Sequence, residues 1–265
     1  MSKALLPLLA LVALSGPLPA QDPPGDVADP ACPADTICIA RRDAHYSFSF
    51  RYPRAAAQIP ALEALMQAEA ATGEAWLGAH TRRAGEAPPF SYEAGWRIDA
   101  QLPELVAASA AISHDIGGAH GGIEYKTILI DPRRGRRLVL ADLFRPGFFG
   151  SRTLGDRIQG VWAVQDAFCR ALTAEVRARR RDPALTIACP NVEEQPVTLV
   201  CGGNGRIDRM RALLNPYVMG SWAEGPYKIE FPIDAMIMDG MKRRYRSAFG
   251  LARESRPRSP LRPCR

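Results

Sequence analysis

The sequence predicts an α+β fold with a mainly antiparallel sheet, helices packed on one face of it, and two sequential lobes. Strand patterns come in runs, and helical patterns separate these groups instead of following each strand, which is typical of antiparallel sheets. The 265 residues are 47% hydrophobic and 23% charged, the balance of an ordinary globular protein. We expect one lobe over residues 45–112 and a second over residues 113–249.

The first lobe begins with alternating aromatic and polar residues from His45 to Tyr52. This alternation predicts a strand with one aromatic face, which ends at Pro53. A helical pattern with proline in its first turn runs from Ile59 to about Leu77. Two further strands are predicted at Pro88–Gln101 and Leu105–His114, although the small residues of the second also favour a helix.

The most informative stretch is Ser113–Phe144, which contains two histidines, two glycine pairs and a hairpin signal. Its Glu124–Ile130 segment has strong strand propensity, and Asp131–Gly135 is typical of a turn. The run Gly117–Gly122 gives access to backbone angles closed to other residues and allows close approach to a neighbour or ligand. We expect a hairpin preceded by a loop of glycine and histidine.

The second lobe contains the longest helical pattern, Leu154–Arg181, with apolar residues at three- and four-residue steps. Within that stripe, Trp162 and Phe168 are predicted to be core residues. Three strand candidates follow, at Pro196–Cys201, Met210–Tyr217 and Tyr227–Ile233.

Residues 1–20 have the pattern of a secretory signal, because Lys3 precedes an apolar run that leads through small and proline residues to Ala20. The run is too short to span a bilayer, so we expect cleavage near Ala20 and no transmembrane segment. The mature protein is then periplasmic or secreted. Residues 21–44 predict a flexible lead segment, and residues 250–265 a basic tail.

Export favours disulfides for the six cysteines. Cys32 and Cys38 are predicted to form a local clip within the lead segment. The remaining four are expected to staple the C-terminal half, with their pairing left open: Cys169, Cys189, Cys201 and Cys264. A metal site needs tighter Cys and His clusters than these, so we expect no bound metal and no cofactor.

The charge balance is mildly basic. Loss of residues 1–20 removes Lys3, so the 34 Lys and Arg become 33 against 28 Asp and Glu, and the net charge falls from +6 to +5. Basic runs occur at Arg133–Arg137, Arg177–Arg181 and Lys242–Arg244. Such runs are typical of solvated faces and also suit an anionic glycan or acidic lipid. An exported protein seldom meets nucleic acid, which we exclude as a partner.

His114, Asp115 and His120 are the residues most suggestive of catalysis, since two histidines and a carboxylate can bind zinc or transfer protons. Their spacing across a glycine loop defines no common face, and no further strong ligand lies nearby. We therefore predict no enzyme, with His120 bonded to the loop backbone and Asp115 capping the loop. The alternative is a metal-assisted hydrolase that acts on cell-wall polymer.

The segment from Tyr217 to Tyr227 is rich in aromatic residues and broken by turns, as exposed recognition loops are. Trp222 is predicted to be its most exposed residue, whereas Tyr217 and Tyr227 also fit strands that fill the core. The candidate ligand-binding residues are His114, Asp115, Gly117, Gly118, His120, Tyr125, Tyr217, Trp222, Glu224 and Tyr227.

Several motifs, in this order, resemble the extracytoplasmic domains of the anti-sigma factor RsiV and the peptidoglycan deacetylase PdaC. They are the strand Phe48–Pro53, the GGAH element Gly117–His120, the D-x-x-x-G turn Asp131–Gly135, the L-x-L-x-D-L-F close Leu138–Phe144 and the P-Y…G-x-Y segment Asn215–Pro232. The resemblance implies a PdaC-type lobe over residues 45–112, followed by an RsiV-type domain over residues 113–249.

The sequence also departs from both relatives. It has no second hydrophobic span for anti-sigma signalling and no deacetylase-like segment after the shared region, so we expect neither activity. In RsiV the related domain recognises lysozyme, which implies a lysozyme-like protein or a peptidoglycan-associated ligand here. An anionic glycan or acidic protein suits the +5 charge better than a basic lysozyme. We therefore expect an exported, non-catalytic cell-envelope protein that acts by binding.

Overall fold

The computed structural model of the chain describes residues 32–84, 90–146, 148, 159–252 and 264, with the side chains of 81–84 and 159–162 left out. The predicted signal over residues 1–20, residues 21–31 of the lead segment and most of the basic tail lie outside the described residues. Trp162, predicted to be a core residue, has its side chain outside them too. No helix in the described ranges is long and apolar enough to cross a membrane.

The larger sheet has six strands in sequence order. They are β1 (Thr36–Arg42), β2 (Tyr46–Pro53), β3 (Phe90–Leu102), β4 (Leu105–Asp115), β5 (Gly122–Asp131) and β6 (Arg136–Leu138). The β2 and β3 strands pair in parallel, and the other neighbours pair antiparallel. A parallel pair needs a long crossover connection, which helix α1 (Pro60–Ala84) supplies.

The smaller sheet has three antiparallel strands, β7 (Val197–Cys201), β8 (Ile207–Leu214) and β9 (Tyr227–Pro232). Three more helices are α2 (Gln159–Arg180), α3 (Ala235–Gly240) and α4 (Arg243–Arg246). The predicted α+β fold with mainly antiparallel pairing is confirmed. The structure divides the strands between two sheets, and each sheet is covered by its own long helix.

One core lies between α1 and the six-stranded sheet. Alternate residues of β3 from Phe90 to Trp96 point to this side, together with the aromatic face predicted for β2. A second core joins α2 to one face of the three-stranded sheet, where the ring of Phe168 lies 5.8 Å from that of Phe231. The other face of that sheet meets the six-stranded sheet through Thr198 and Arg211, which both contact Asp99.

Strand β1 corrects the prediction of a flexible lead over residues 21–44, which is wrong for residues 36–42. The predicted clip between Cys32 and Cys38 is confirmed, and it ties the start of β1 to the strand itself. Ile37 and Ile39 both point towards the α1 core and are partly buried there. The Pro-rich sequence before them gives no sign of this burial. The other four cysteines, whose pairing the sequence left open, form the disulfides Cys169–Cys189 and Cys201–Cys264.

Helix α1, strand β4 and the predicted lobe boundary compare with the sequence expectation as follows. Helix α1 extends beyond Leu77 to Ala84. The β4 segment is a strand, as preferred over the helical alternative. The predicted lobe boundary after Ile112 lies inside this strand, and the division into two lobes stays a prediction.

Strand β8 begins and ends three residues earlier than predicted, at Ile207 and Leu214. The reason is Pro216, which has no N–H to donate to a sheet and so favours termination of the strand before it. This shift places Tyr217 in a loop and not in a strand.

Candidate functional site

Two loops that are distant in sequence meet on one surface, the β4–β5 loop at residues 116–121 and the β8–β9 loop at residues 215–226. His120 stacks on Trp222 with ring centres 4.2 Å apart and an interplanar angle of 11°. The Nε2 atom of His120 lies 3.1 Å from the hydroxyl of Tyr217, whose ring centre is 6.4 Å from that of Trp222. We call His120, Tyr217 and Trp222 the aromatic platform.

The histidine side of the platform depends on the glycine-rich turn. Gly117 and Gly118 have φ angles of +80° and +124°, which side chains disfavour. As predicted, Asp115 caps this turn by accepting a hydrogen bond of 3.0 Å from the N–H of Gly117. The Nδ1 of His120 lies 2.9 Å from the carbonyl of Gly121 and therefore donates to it, so in the neutral ring Nε2 accepts from Tyr217.

Tyr217 is the most unusual residue of the platform. Its φ of +71° lies in the left-handed region, which is rare for a residue with a large side chain, and its side chain is 64% exposed. Trp222 is half-buried and therefore less exposed than Tyr217, so the prediction that Trp222 is the most exposed residue of this loop is wrong. The loop begins at Asn215, whose Oδ1 accepts a 2.7 Å hydrogen bond from the N–H of Tyr125 on β5.

The far side of the same loop is fixed to the end of α2. Arg180 donates from Nε and Nη2 to the two carboxylate oxygens of Glu224, at 2.9 Å each, and also donates to the carbonyl of Met219 at 2.7 Å. The buried Tyr227 donates its hydroxyl to Glu224, and the Arg179 guanidinium lies 3.9 Å from the Tyr227 ring centre. Glu224 and Tyr227 therefore hold the platform in place, and Tyr227 belongs to the core.

The hydrogen bond from Arg180, followed by that from Tyr227, holds the pKa of Glu224 below its usual value of 4.5. A lowered folded-state pKa means that the stabilisation is fully present above about pH 4.5 and is lost as the pH falls through the lowered pKa. We expect acid to release this side of the loop in that window.

The indole N–H resonance of Trp222 checks this expectation in a pH titration by NMR. Its shift should change below about pH 4.5 in the wild type, and Glu224→Gln should show the released signal at neutral pH. Glu193→Gln, which alters an exposed glutamate, is the control. A Trp222 signal that titrates identically in the wild type and Glu224→Gln would contradict the assignment to Glu224.

The structure separates the other predicted histidine from the platform. His114 points to the α1 side of β4, where its ring packs edge-on against Trp76 with centres 4.9 Å apart. The ring also lies against Gly122, at which an added Cβ would come within 2.1 Å of it. Burial lowers the pKa of His114, and its Nδ1 has no hydrogen-bond partner in the described chain.

The suggested set of His114, Asp115 and His120 is therefore not brought together, because adjacent strand residues point to opposite faces and His120 lies in the loop. Within the described ranges, no three His, Cys, Asp or Glu side chains are grouped as they would be around a metal ion.

Sequence reasoning missed a second polar group, where the two sheets meet. Arg211 donates from Nε and Nη2 to Glu230 at 3.0 and 2.6 Å, and its Nη1 is 3.6 Å from Asp99. Asp99 also accepts from Arg97 at 2.8 Å, and Lys228 lies over the Tyr125 ring at 5.5 Å. We call Arg97, Asp99, Arg211, Lys228 and Glu230 the junction cluster. Its signal in the sequence is the presence of charged residues within predicted strands.

The sequence matches no family model and no curated protein. Its structure is similar to that of a DUF3298 family protein from Pseudomonas aeruginosa PAO1, with a TM-score of 0.52, 18% identity, and coverage of 83% of this chain and 98% of that chain. A member of the DUF3298 family from Bacteroides fragilis NCTC 9343 aligns with a TM-score of 0.47, 15% identity, and coverage of 78% and 92%. The chain therefore shares the fold of the Pseudomonas DUF3298 family protein.

Proposed function

We propose that this protein is an exported, non-catalytic domain of the cell envelope that binds a protein or a peptidoglycan-associated ligand through the aromatic platform. The observation that carries the proposal is the fixed contact of His120 with Tyr217, 97 residues away, and with Trp222 on an exposed surface. The order of the sequence motifs, which resembles the lysozyme-recognising domain of RsiV, supports the same class of function.

The conformation of Tyr217 favours binding over a purely structural role. A left-handed backbone at a residue with a large side chain costs on the order of 1 kcal/mol or more. The exposed side chain of Tyr217 returns little of this through burial, since 64% of it remains in water. Strain without compensating burial is found at recognition sites, where it fixes a side chain in its binding geometry.

Rigid aromatic side chains are also the groups that dominate binding energies. Tyrosine and tryptophan supply large contact areas with few rotatable bonds, so little conformational entropy is lost on binding. Here the Arg180–Glu224 contact and the Asn215–Tyr125 hydrogen bond fix the loop at both ends before a ligand arrives. Pre-organisation of this kind strengthens binding without new contacts.

Export is supported by the three disulfides and by the signal pattern of residues 1–20. Disulfides persist in the periplasm and outside the cell, whereas cytosolic thiols are kept reduced. The net charge of +5 after signal removal favours acidic proteins and anionic wall glycans among the possible ligands.

Surface plasmon resonance tests the proposal by measuring binding of the oxidised mature protein to three ligands. These are a lysozyme, an acidic envelope protein fraction and soluble peptidoglycan strands. We expect saturable binding to at least one of these, and we expect Tyr217→Ala to weaken it about 30-fold, as a hot-spot residue worth about 2 kcal/mol does. Met236→Ala, which truncates a side chain that is 51% exposed on α3, is the matched control and should leave the affinity unchanged.

Two results would contradict the proposal. One is an affinity that Tyr217→Ala and Trp222→Ala both leave at the wild-type value. The other is turnover of peptidoglycan by the wild-type protein that disappears in His120→Ala, which would favour the hydrolase.

A further inference from the structure

Two basic runs of the sequence, which the proposed function does not use, meet on one surface. The turn between β5 and β6 carries the run Arg133–Arg137, and the start of α4 carries the run Lys242–Arg244. The buried carboxylate of Asp131 joins them, because its Oδ2 accepts from Nη1 of Arg134 at 2.7 Å and from the hydroxyl of Tyr245 at 3.2 Å. Arg244 lies over the ring of the same tyrosine, 4.7 Å from its centre.

Asp142 joins the same two segments a second time. Its Oδ1 lies 3.4 Å from Nη2 of Arg136, and its carbonyl accepts from Nζ of Lys242 at 2.8 Å. Its Oδ2 accepts from the N–H of Val139 at 3.1 Å. The six arginines of this surface are exposed, and Lys242 is half-buried. We call the following residues the basic face: Arg133, Arg134, Arg136, Arg137, Val139, Lys242, Arg243 and Arg244.

Positive charge exceeds negative charge on the basic face. Arg145 and Arg246 lie beside it and share the carboxylate of Asp239. Glu63 lies in the first turn of α1, on which Gly135 packs. With these neighbours included, nine cations stand against six carboxylates. Four of the six carboxylates lie within ion-pair distance of the basic face in the described chain, and they belong to Glu69, Glu104, Asp131 and Asp142.

The cations of α4 are the ones left free for a ligand. Lys242, Arg243 and Arg244 have no carboxylate within ion-pair distance among the described residues. A guanidinium that lies over an aromatic ring, as that of Arg244 does, can still bind a phosphate through two nitrogens. The free cations of the basic face therefore suit a surface rich in phosphate.

Val139 adds an apolar group to this basic surface, and its side chain is 65% exposed. It is the N-cap of the short 3₁₀ helix Leu140–Leu143, a position at which serine, threonine or aspartate would accept a hydrogen bond from the backbone. The valine side chain makes no such bond. An apolar side chain that neither caps a helix nor fills the core is better placed if an apolar phase outside the protein buries it.

The basic face lies at the other end of β5 from the aromatic platform. Strand β5 has ten residues, which gives it a length of about 30 Å, with His120 before its start and Arg133 after its end. A surface that contacts the basic face therefore leaves the aromatic platform on the opposite side of the protein.

We propose that the basic face docks this protein on the anionic phospholipid surface of a membrane, with its cations at the lipid phosphates and Val139 below them. Clusters of about four to eight lysine and arginine residues bind anionic bilayers, and each cation strengthens the binding. Val139 favours a lipid surface over a soluble polyanionic glycan, because a glycan offers no apolar phase. In this orientation the aromatic platform points away from the bilayer, towards ligands in the surrounding space.

Flotation of the oxidised mature protein with vesicles tests the proposal. Vesicles of phosphatidylglycerol and phosphatidylcholine in equal parts are compared with vesicles of phosphatidylcholine alone. We expect the partition coefficient to be at least about tenfold higher for the anionic vesicles. It should fall as salt is raised, because salt screens exposed charges.

The double variant Arg243→Gln with Arg244→Gln should lower partitioning into anionic vesicles about 30-fold, since each exposed cation contributes about fivefold. Arg42→Gln with Arg181→Gln is the matched control, because it removes the same charge from two exposed positions outside the basic face. The control should stay within about twofold of the wild type. Tyr217→Ala should not change partitioning, which separates this result from the outcome for the platform.

Val139→Ser distinguishes a lipid surface from a polyanionic glycan. We expect it to weaken partitioning about fivefold, because an apolar contact is lost, and not to lower Tm, because serine is a favourable N-cap. Equal partitioning into both kinds of vesicle, or equal losses in the two double variants, would overturn the proposal. Unchanged partitioning of Val139→Ser would also overturn it and would indicate a polyanionic glycan as the ligand.

Discussion

Replacing Arg211 with methionine is expected to lower the free energy of unfolding by about 3 kcal/mol, because removal of one partner leaves a charge buried without compensation. Asp99 and Arg211 both have side chains that are 4% exposed, so water cannot replace the lost partner. Asp99 keeps its hydrogen bonds from Arg97 and Thr198, which places the expected loss at the lower end of the range for buried ion pairs. The variant also removes the contact of Arg211 with Asp99, which is one of the contacts between the two sheets.

Urea unfolding followed by circular dichroism measures this loss. Arg209→Met is the matched control, since Arg209 is a half-buried arginine of the same strand, and we expect a change within about 0.5 kcal/mol. Arg211→Lys keeps the charge but cannot bind Glu230 through two nitrogens, and it should fall between the two. Equal stabilities of Arg211→Met and Arg209→Met would show that the buried ion pairs do not hold the sheets together.

Removing the disulfide between Cys201 and Cys264 by double replacement with serine is expected to cost about 4 kcal/mol, the largest effect of the three disulfides. The bond joins residues 63 apart, and a cross-link restricts the unfolded chain more as the loop it closes becomes longer. It also holds Cys264, which is 2% exposed, against the second core.

The other two disulfides provide the comparison. Their sequence separations of 20 for Cys169–Cys189 and 6 for Cys32–Cys38 give expected losses of about 3 and about 2 kcal/mol. Thermal or urea unfolding of the three double-serine variants should therefore follow the order of loop length. A loss from the Cys32–Cys38 pair as large as that from Cys201–Cys264 would contradict this explanation.

Local pattern was sufficient for much of the fold. The aromatic alternation of β2 and the turn that follows β5 are visible in the sequence because strands repeat every two residues and turns require particular residues. Strand β1 was missed because the residues that precede it are typical of a linker. Its burial depends on pairing with β2 and on the Cys32–Cys38 clip.

The site was predicted in part for the same reason. The glycine-rich loop and the segment from Tyr217 to Tyr227 were singled out by composition, and the structure brings them together through a contact between His120 and Tyr217. No local signal could reveal that contact. The alternation along β4 places His114 on the same side as the buried Ile112 and away from the exposed face. Grouping His114 with Asp115 and His120 was therefore an avoidable error.

Unlike the aromatic platform, the junction cluster could not be predicted from the sequence, because it depends on a shift in strand register that leaves no local sequence pattern. The β3–β4 register shifts between Ile98 and Ala100, so Asp99 is the extra residue of a β-bulge. Bulges redirect side chains, and this one places the Asp99 carboxylate where Thr198 of β7 and Arg211 of β8, about 100 residues later in the sequence, reach it.

The hydrogen bond from Tyr125 to Asn215 also affects how copies of this protein behave towards one another. Strand β6 pairs only with the last three residues of β5, which leaves residues 122–128 without a neighbouring strand on that side in the described chain. An open edge of this length is a template on which a second molecule can add a strand and begin to aggregate. Asn215 accepts a hydrogen bond from the N–H of Tyr125 at the middle of this edge, so that group cannot pair with a second strand. We therefore expect the loop that carries Tyr217 to hinder edge-to-edge association.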